Sequence, residues 1–212
     1  MKSRPFVFIN AAMSADGKIS TYDRRQVRIS SYDDMKRVGG LRAGSDAIMV
    51  GIGTVLADNP GLTVKSGENN AIRIVVDSMA RTSVDAEVIS RKGGPTIIAV
   101  SKSAPSDRVA TLREKAEVIA VGDDCVSLSD LLSDLKNRGI ERLMVEGGAT
   151  LNWSLISEGL VDEIYVYIGN MVIGGKTAPT LVDGVGLKEP MQLELLSVER
   201  MDGGVLVKWR VL

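Results

Sequence analysis

Short, nearly continuous apolar runs, rich in β-branched residues, are the feature that most narrows what this chain can fold into. They are FVFINAA (6–12), AIMV (47–50), IRIVVD (72–77), TIIAV (96–100), EVIAV (117–121) and RLMVE (142–146). A strand wetted on one face alternates apolar and polar residues; runs without alternation fit strands covered on both faces. Helix candidates stand between several of them, at Tyr32–Ala43, Ser106–Lys115, Ser129–Arg138 and Thr150–Glu158. Ser31-x-x-Asp34 and Ser127-x-x-Asp130 are N-terminal capping signals, in which a hydroxyl accepts a first-turn N–H. Parallel strands need long crossovers. The alternation therefore predicts an α/β fold with a mostly parallel central sheet flanked by helices.

The C-terminal part changes character. EIYVYIGN (163–170) is one more strand, whereas MQLELLSVERM (191–201) and GVLVKWRVL (204–212) alternate in polarity. Asp202-Gly203-Gly204 between them is a hairpin signal, so the sheet is expected to end in an antiparallel C-terminal hairpin. No linker, repeat or low-complexity tract interrupts the 212 residues, which predicts a single domain over 1–212. Gly39-Gly40 falls inside the first helix candidate, at a cost of about 1 kcal/mol per glycine against alanine. That helix either ends early or packs closely there.

Composition removes several chemistries. The chain has no histidine, which excludes Ser-His-Asp and Cys-His nucleophiles and imidazole acid–base work. A single cysteine, Cys125, leaves no disulfide framework and no cysteine-based zinc site; no metal site is expected. A net charge of −1 offers no basic field for nucleic acid. Trp153 and Trp209 occupy a helix and a strand candidate, which are packing positions rather than a base-stacking platform. No apolar run is long enough to span a membrane, and the N-terminus lacks a signal-peptide core. A soluble, cytoplasmic protein is expected, whose chemistry falls to carboxylates, lysine, hydroxyls or a cofactor.

Candidate site residues follow the strands, where ligands of α/β sheets bind. GIGTVL (51–56) follows AIMV but carries Leu56 where a dinucleotide fingerprint needs a third glycine. It is either a phosphate contact, with Thr54 as an added donor, or a tight turn. VVDS (75–78) ends the next run with Asp77 and Ser78, and Arg81 follows. An acid there holds a ribose hydroxyl, whereas Ser plus Arg accommodates a 2′-phosphate, so the cluster leans to NADPH over NADH; a solvated loop is the alternative. LMVEGGATLNWSL (143–155) places Glu146, Gly147 and Gly148 ahead of a helix. That is an anion seat of free N–H groups or a plain turn. Asn10 is polar within the first strand, and Ser14, Asp16 and Lys18 cluster after it. Arg42 and Lys65 gain interest only for a phosphorylated substrate. IGGKT (173–177) is not a P-loop: its first glycine is misplaced, and Ala178-Pro179 follows where a helix should open.

GIGTVLADNPGLTV (51–64), IRIVVDS (72–78), VEGGATLNW (145–153), GLVDEIYVYI (159–168) and GGKTAPTLVDG (174–184) occur in the order seen in the riboflavin-biosynthesis reductases. The resemblance runs from ADGKI (15–19) to the terminal hairpin and is greater to the stand-alone archaeal members than to the bacterial deaminase–reductases. It implies a dihydrofolate-reductase-like fold, a homodimer, NADPH as hydride donor and reduction of a ribosylaminopyrimidine phosphate. It carries over cofactor contacts to Thr54, Asp58, Ser78, Met79, Arg81, Val126, Gly147, Gly148, Ala149, Thr150 and Leu151. Leu62 and Glu146 match substrate contacts, with Arg42 and Lys65 at the positions that hold the 5′-phosphate; Asn10 and Ser14 join the substrate candidates from their place at the end of the first strand. Bacterial members carry arginine at the second of these; lysine keeps the charge and loses the bidentate fork. The catalytic acid stays open between Glu146, Asp16, Lys18 and solvent. A pteridine or dihydrofolate-type reductase, and a non-catalytic nucleotide-phosphate binding module, are the alternative functions.

Overall fold

The computed structural model describes residues 3–25, 27–63 and 71–212. The strands are β1 (Phe6–Met13), β2 (Ala47–Gly51), β3 (Ile72–Val76), β4 (Thr96–Val100), β5 (Glu117–Ala120), β6 (Arg142–Val145), β7 (Glu163–Ile168), β8 (Leu193–Met201) and β9 (Gly204–Val211). The helices are α1 (Tyr32–Ala43), α2 (Ile52–Asp58), α3 (Glu87–Ser90), α4 (Ser106–Arg113), α5 (Leu128–Asn137) and α6 (Ala149–Ser157). The strands form one sheet in the order β5-β4-β3-β2-β6-β1-β7-β9-β8. β2 with β3, β3 with β4, β4 with β5 and β1 with β7 pair in parallel, and β7, β9 and β8 are antiparallel. The expected α/β class with an antiparallel C-terminal hairpin is what the chain adopts. Asp202 turns that hairpin with a φ of +49.

The chain groups into two compact units, one built on Leu41–Met144 and one on Val7–Gly40 with Val145–Leu212. In the first, β2 and β4 are buried along almost their whole length, as unalternating strands must be. Leu128, Leu131, Leu132 and Leu135 of α5 are buried because their spacing places them on one helical stripe, each contributing about 1.5–3 kcal/mol. The Ser127 hydroxyl caps this helix by accepting from Asp130 N. β5 departs from expectation. It is as apolar as its neighbours but lies at the sheet edge, half-buried to exposed. Two short helices, α2 and α3, were not expected from the sequence.

In the second unit Phe8, Ile9 and Tyr167 are fully buried. Phe8 and Tyr165 stack with ring centroids 5.1 Å apart. β8 is the other sheet edge, and Leu195 and Val198 on it are 51% and 58% exposed. Helix α1 starts with Asp34 N donating to Ser31 Oγ and runs through Gly39 and Gly40. Neither glycine faces an atom that a methyl group would meet. The helix thus neither ends early nor packs closely at that pair. Among the described residues no helix is long and apolar enough to cross a membrane.

Candidate active site

In the Leu41–Met144 unit the carboxyl ends of the parallel strands lie level, with Gly51 beside Val76, Val76 beside Ala99 and Val100 beside Ala120. The loops after β2, β3, β4 and β5 therefore open on one edge. Behind β2 the chain turns directly into α2, whose cap, Gly51, provides no side-chain hydrogen bond, so the first-turn N–H groups are uncapped. Gly53 faces open space, and Thr54 is half-buried. Asp58 ends the helix at the surface, where partial desolvation pushes its carboxyl up.

The turn after β3 is sharper than its residue types suggest. Asp77 is 0% exposed, and its Oδ2 accepts Thr82 N at 2.7 Å and Thr82 Oγ1 at 2.8 Å. It therefore staples its own turn and is not open to a ribose. Ser78 is half-buried and Met79 exposed. The Arg81 side chain is 51% exposed, 3.7 Å from Asp77 Oδ1. Ser78 Oγ accepts Val126 N at 3.1 Å, which joins two cofactor candidates far apart in sequence. Ser101, Lys102 and Ser103 were missed. Ser101 donates its N and Oγ to Ser78 O, and Lys102 pairs with Asp123 at 2.9 Å. Their only sequence signal is their place after the run TIIAV. Elsewhere in the unit, Arg42 Nη1 donates to Thr63 O at 2.9 Å, next to Leu62. Leu62 is buried with a φ of +49. Lys65 lies outside the described residues.

The Val7–Gly40 and Val145–Leu212 unit carries the other candidates. Asn10 is buried, and its Oδ1 accepts Arg37 Nη2 at 2.8 Å. Arg37 in turn pairs with buried Asp34 at 2.6 Å. Ser14 is fully buried; it donates to Asp16 Oδ1 at 2.6 Å and accepts Lys18 N at 2.9 Å. Its hydroxyl shapes the turn and is not presented to a ligand. Asp16 also accepts Ile173 N at 3.0 Å and Gly174 N at 2.7 Å. The Ser14 hydroxyl first, and these backbone donors with it, lower its carboxyl to about 2. Asp16 is thus a committed anion, which removes it as a proton donor. Lys18 Nζ donates to Ala178 O at 3.1 Å and keeps further N–H donors.

β6 ends at Val145, and half-buried Glu146 follows it. Gly147 then takes a φ of +91, a conformation that side chains disfavour. The Gly147–Gly148 peptide is cis. Gly148 caps α6 with extended backbone and no side-chain bond, leaving its first N–H groups as a positive, donor-rich end. The side chains of Ala149 and Leu151 are buried and that of Thr150 is exposed, so Ala149 and Leu151 can serve a ligand only through backbone. Gly174 and Gly175 have positive φ and no helix follows them, in keeping with the rejection of a P-loop. Among the described residues no cluster of Cys, Asp and Glu is placed to hold a metal ion.

A family model described as the RibD C-terminal domain matches residues 5–207. A protein of Archaeoglobus fulgidus named 2,5-diamino-6-ribosylamino-4(3H)-pyrimidinone 5′-phosphate reductase is 47% identical, covering 98% of this chain and 98% of its own. One of the same name from Methanothermobacter thermautotrophicus is 48% identical over 98% of this chain and 99% of its own. Among solved structures, Acinetobacter baumannii RibD (form 1) superposes with a TM-score of 0.79 at 22% identity. It covers all of this chain, which spans 59% of that longer protein, and it speaks to the fold alone.

Proposed function

The chain belongs to the RibD C-terminal domain family, and from that premise we propose that it reduces 2,5-diamino-6-ribosylamino-4(3H)-pyrimidinone 5′-phosphate with NADPH, as one reductase domain over 1–212. The ribosyl side chain becomes ribityl, a step of riboflavin biosynthesis. The observation that carries the reading is the full-length match to two archaeal reductases of that name. The residues present fit a dinucleotide. An uncapped α6 N-terminus behind Gly147 and Gly148 suits a pyrophosphate. Support for NADPH over NADH comes from the turn after β3. The acid that would grip a free ribose hydroxyl, Asp77, is fully buried, with its Oδ2 taken by Thr82, while Arg81 stays half-exposed for a 2′-phosphate.

When bound, the reduced nicotinamide supplies hydride to C1′ of the sugar. The chain's own residues hold the reactants in line, which can supply roughly 7–11 kcal/mol of the barrier. Thr54, Asp58, Ser78, Met79, Arg81, Val126 and Gly147 to Leu151 serve the cofactor. Glu146 and Asn10 serve the substrate, and Arg42 with Lys65 its phosphate. A proton must reach the opened ring oxygen or the imine nitrogen. With Asp16 held ionised, Lys18 is the cation of that turn able to give one, beside Glu146 and solvent. The exposed apolar edge of β8 supports a homodimer, since open edges invite pairing; sedimentation of a monomer alone would refute it.

Incubating the protein with NADPH and authentic substrate should oxidise the nicotinamide, followed by its absorbance. No oxidation would sink the proposal, and faster turnover of a phosphate-free pterin would move it to the pteridine reductases.

A further inference from the structure

We propose that Asp16 and Asn152 are positioning residues of this reaction, clamping the two ends of a strap, residues 171–184, that couples the substrate turn to the cofactor seat. The inference rests on the reading above, in which the turn after β1 serves the substrate and the start of α6 the dinucleotide.

The strap contains the GGKTAPTLVDG motif, to which neither cofactor nor substrate binding assigns a task. Its first half is fastened to the turn after β1. Ala15 N donates to Met171 O at 2.8 Å, and the Asp16 carboxylate accepts Ile173 N and Gly174 N. Lys18 Nζ reaches Ala178 O, and Ile19 N donates to Pro179 O at 3.0 Å. Its second half is fastened to α6. Asn152, 1% exposed, donates Nδ2 to Leu181 O at 2.9 Å, and Asp183 N donates to Ala149 O at 3.3 Å. A Cβ at Gly184 would run into the Trp153 ring, so the strap seats flush on the helix only because residue 184 is glycine. Between the two halves the chain is braced on itself, with Thr180 N at 3.2 Å from the Asp183 carboxylate and Thr180 Oγ1 donating to Val182 O at 3.0 Å.

A single residue, Thr180, separates Pro179, bonded to the turn, from Leu181, bonded to α6. Too little chain lies between the anchors to absorb a displacement. The Asn152 side chain stands at both places, because its Nδ2 also lies 3.9 Å from where a Cβ on Gly147 of the seat would be. A group that orders the substrate turn therefore also orders the start of α6, and linkage requires the reverse with equal strength.

NADP⁺ is used as the probe because it cannot reduce the substrate. Its Kd is measured by calorimetry with and without saturating substrate, on the full chain. In the native protein the substrate should tighten NADP⁺ by about 5- to 150-fold. In D16N and in N152A that ratio should fall below about 2. KM should rise for both ligands while kcat at saturation falls less; loss of folded protein alone would lower kcat and leave KM unchanged. D16N, at the surface, keeps the test alive should N152A not fold. A native ratio near 1, or an unchanged ratio in D16N, overturns the coupling. Absence of any NADPH oxidation by the native protein overturns instead the reading of the site on which it rests.

Discussion

Replacing Asp77 with alanine tests whether this carboxylate builds the fold or holds the cofactor. Asp77 is fully buried, and its Oδ2 accepts both Thr82 N and Thr82 Oγ1. A buried donor left without an acceptor costs about 1–3 kcal/mol. Two such donors give about 2–6 kcal/mol, with the upper end trimmed because the Thr82 hydroxyl can rotate toward another acceptor. The Arg81 contact adds little, since it is 3.7 Å long and Arg81 is half-exposed. D77A should therefore lose about 2–5 kcal/mol. Urea denaturation should show this as a lower midpoint at unchanged slope. The double variant D77A/T82V removes the orphaned hydroxyl and should recover about 1 kcal/mol or more. The ratio of KM for NADPH to KM for NADH should stay as in the native protein. If D77A is as stable as the native chain but changes that ratio, Asp77 touches the ribose and the assignment of the turn is wrong.

Arg81→Ala should raise KM for NADPH by about 10-fold or more, the worth of one charge-assisted hydrogen bond, and leave KM for NADH near its native value; equal losses would put the 2′-phosphate elsewhere. Gly147→Ala meets no steric block, because its Cβ would stand 3.9 Å from Asn152 Nδ2, but φ is +91. It should cost about 1–3 kcal/mol, or move the seat and raise the Kd of NADP⁺; a neutral effect on both stability and binding would refute the seat. Asp16 has a carboxyl lowered from 3.8 to about 2, so its contribution is complete above 3.8 and is lost as pH falls through about 2. The NMR titration of its carboxyl carbon should have its midpoint near 2 and move upward in S14A; a native midpoint at 3.8 would remove the clamp on Ile173 and Gly174.

Strand character was legible because burial on both faces forces unbroken apolar runs, and β2 and β4 have both the runs and the burial. Sheet order was not. EVIAV is as apolar as its neighbours, yet β5 lies at an edge, since nothing local tells a strand how many partners it has. Helix α2 hid in GIGTVL because a short segment starting with two glycines carries no periodic stripe. At the site, residue positions were legible and side-chain partners were not. Ser78 and Val126, named separately, meet through one hydrogen bond. Ser14 and Asp77 sit after their strands as expected, but the chain's own donors and acceptors reach them before a ligand can. A residue type announces hydrogen-bonding capacity, and only packing decides who uses it. Ser101 shows the converse, a residue without a motif that buttresses Ser78 through two bonds.

The seating of Gly184 against Trp153 equips the molecule with an optical gauge. Indole emission responds to its immediate surroundings, and here those include the backbone of Gly184. The other tryptophan, Trp209, lies on β9. Replacing it with phenylalanine would leave a single emitter that reports whether residues 171–184 rest on α6 or stand off it, with no label added and in the time of a stopped-flow mixing experiment.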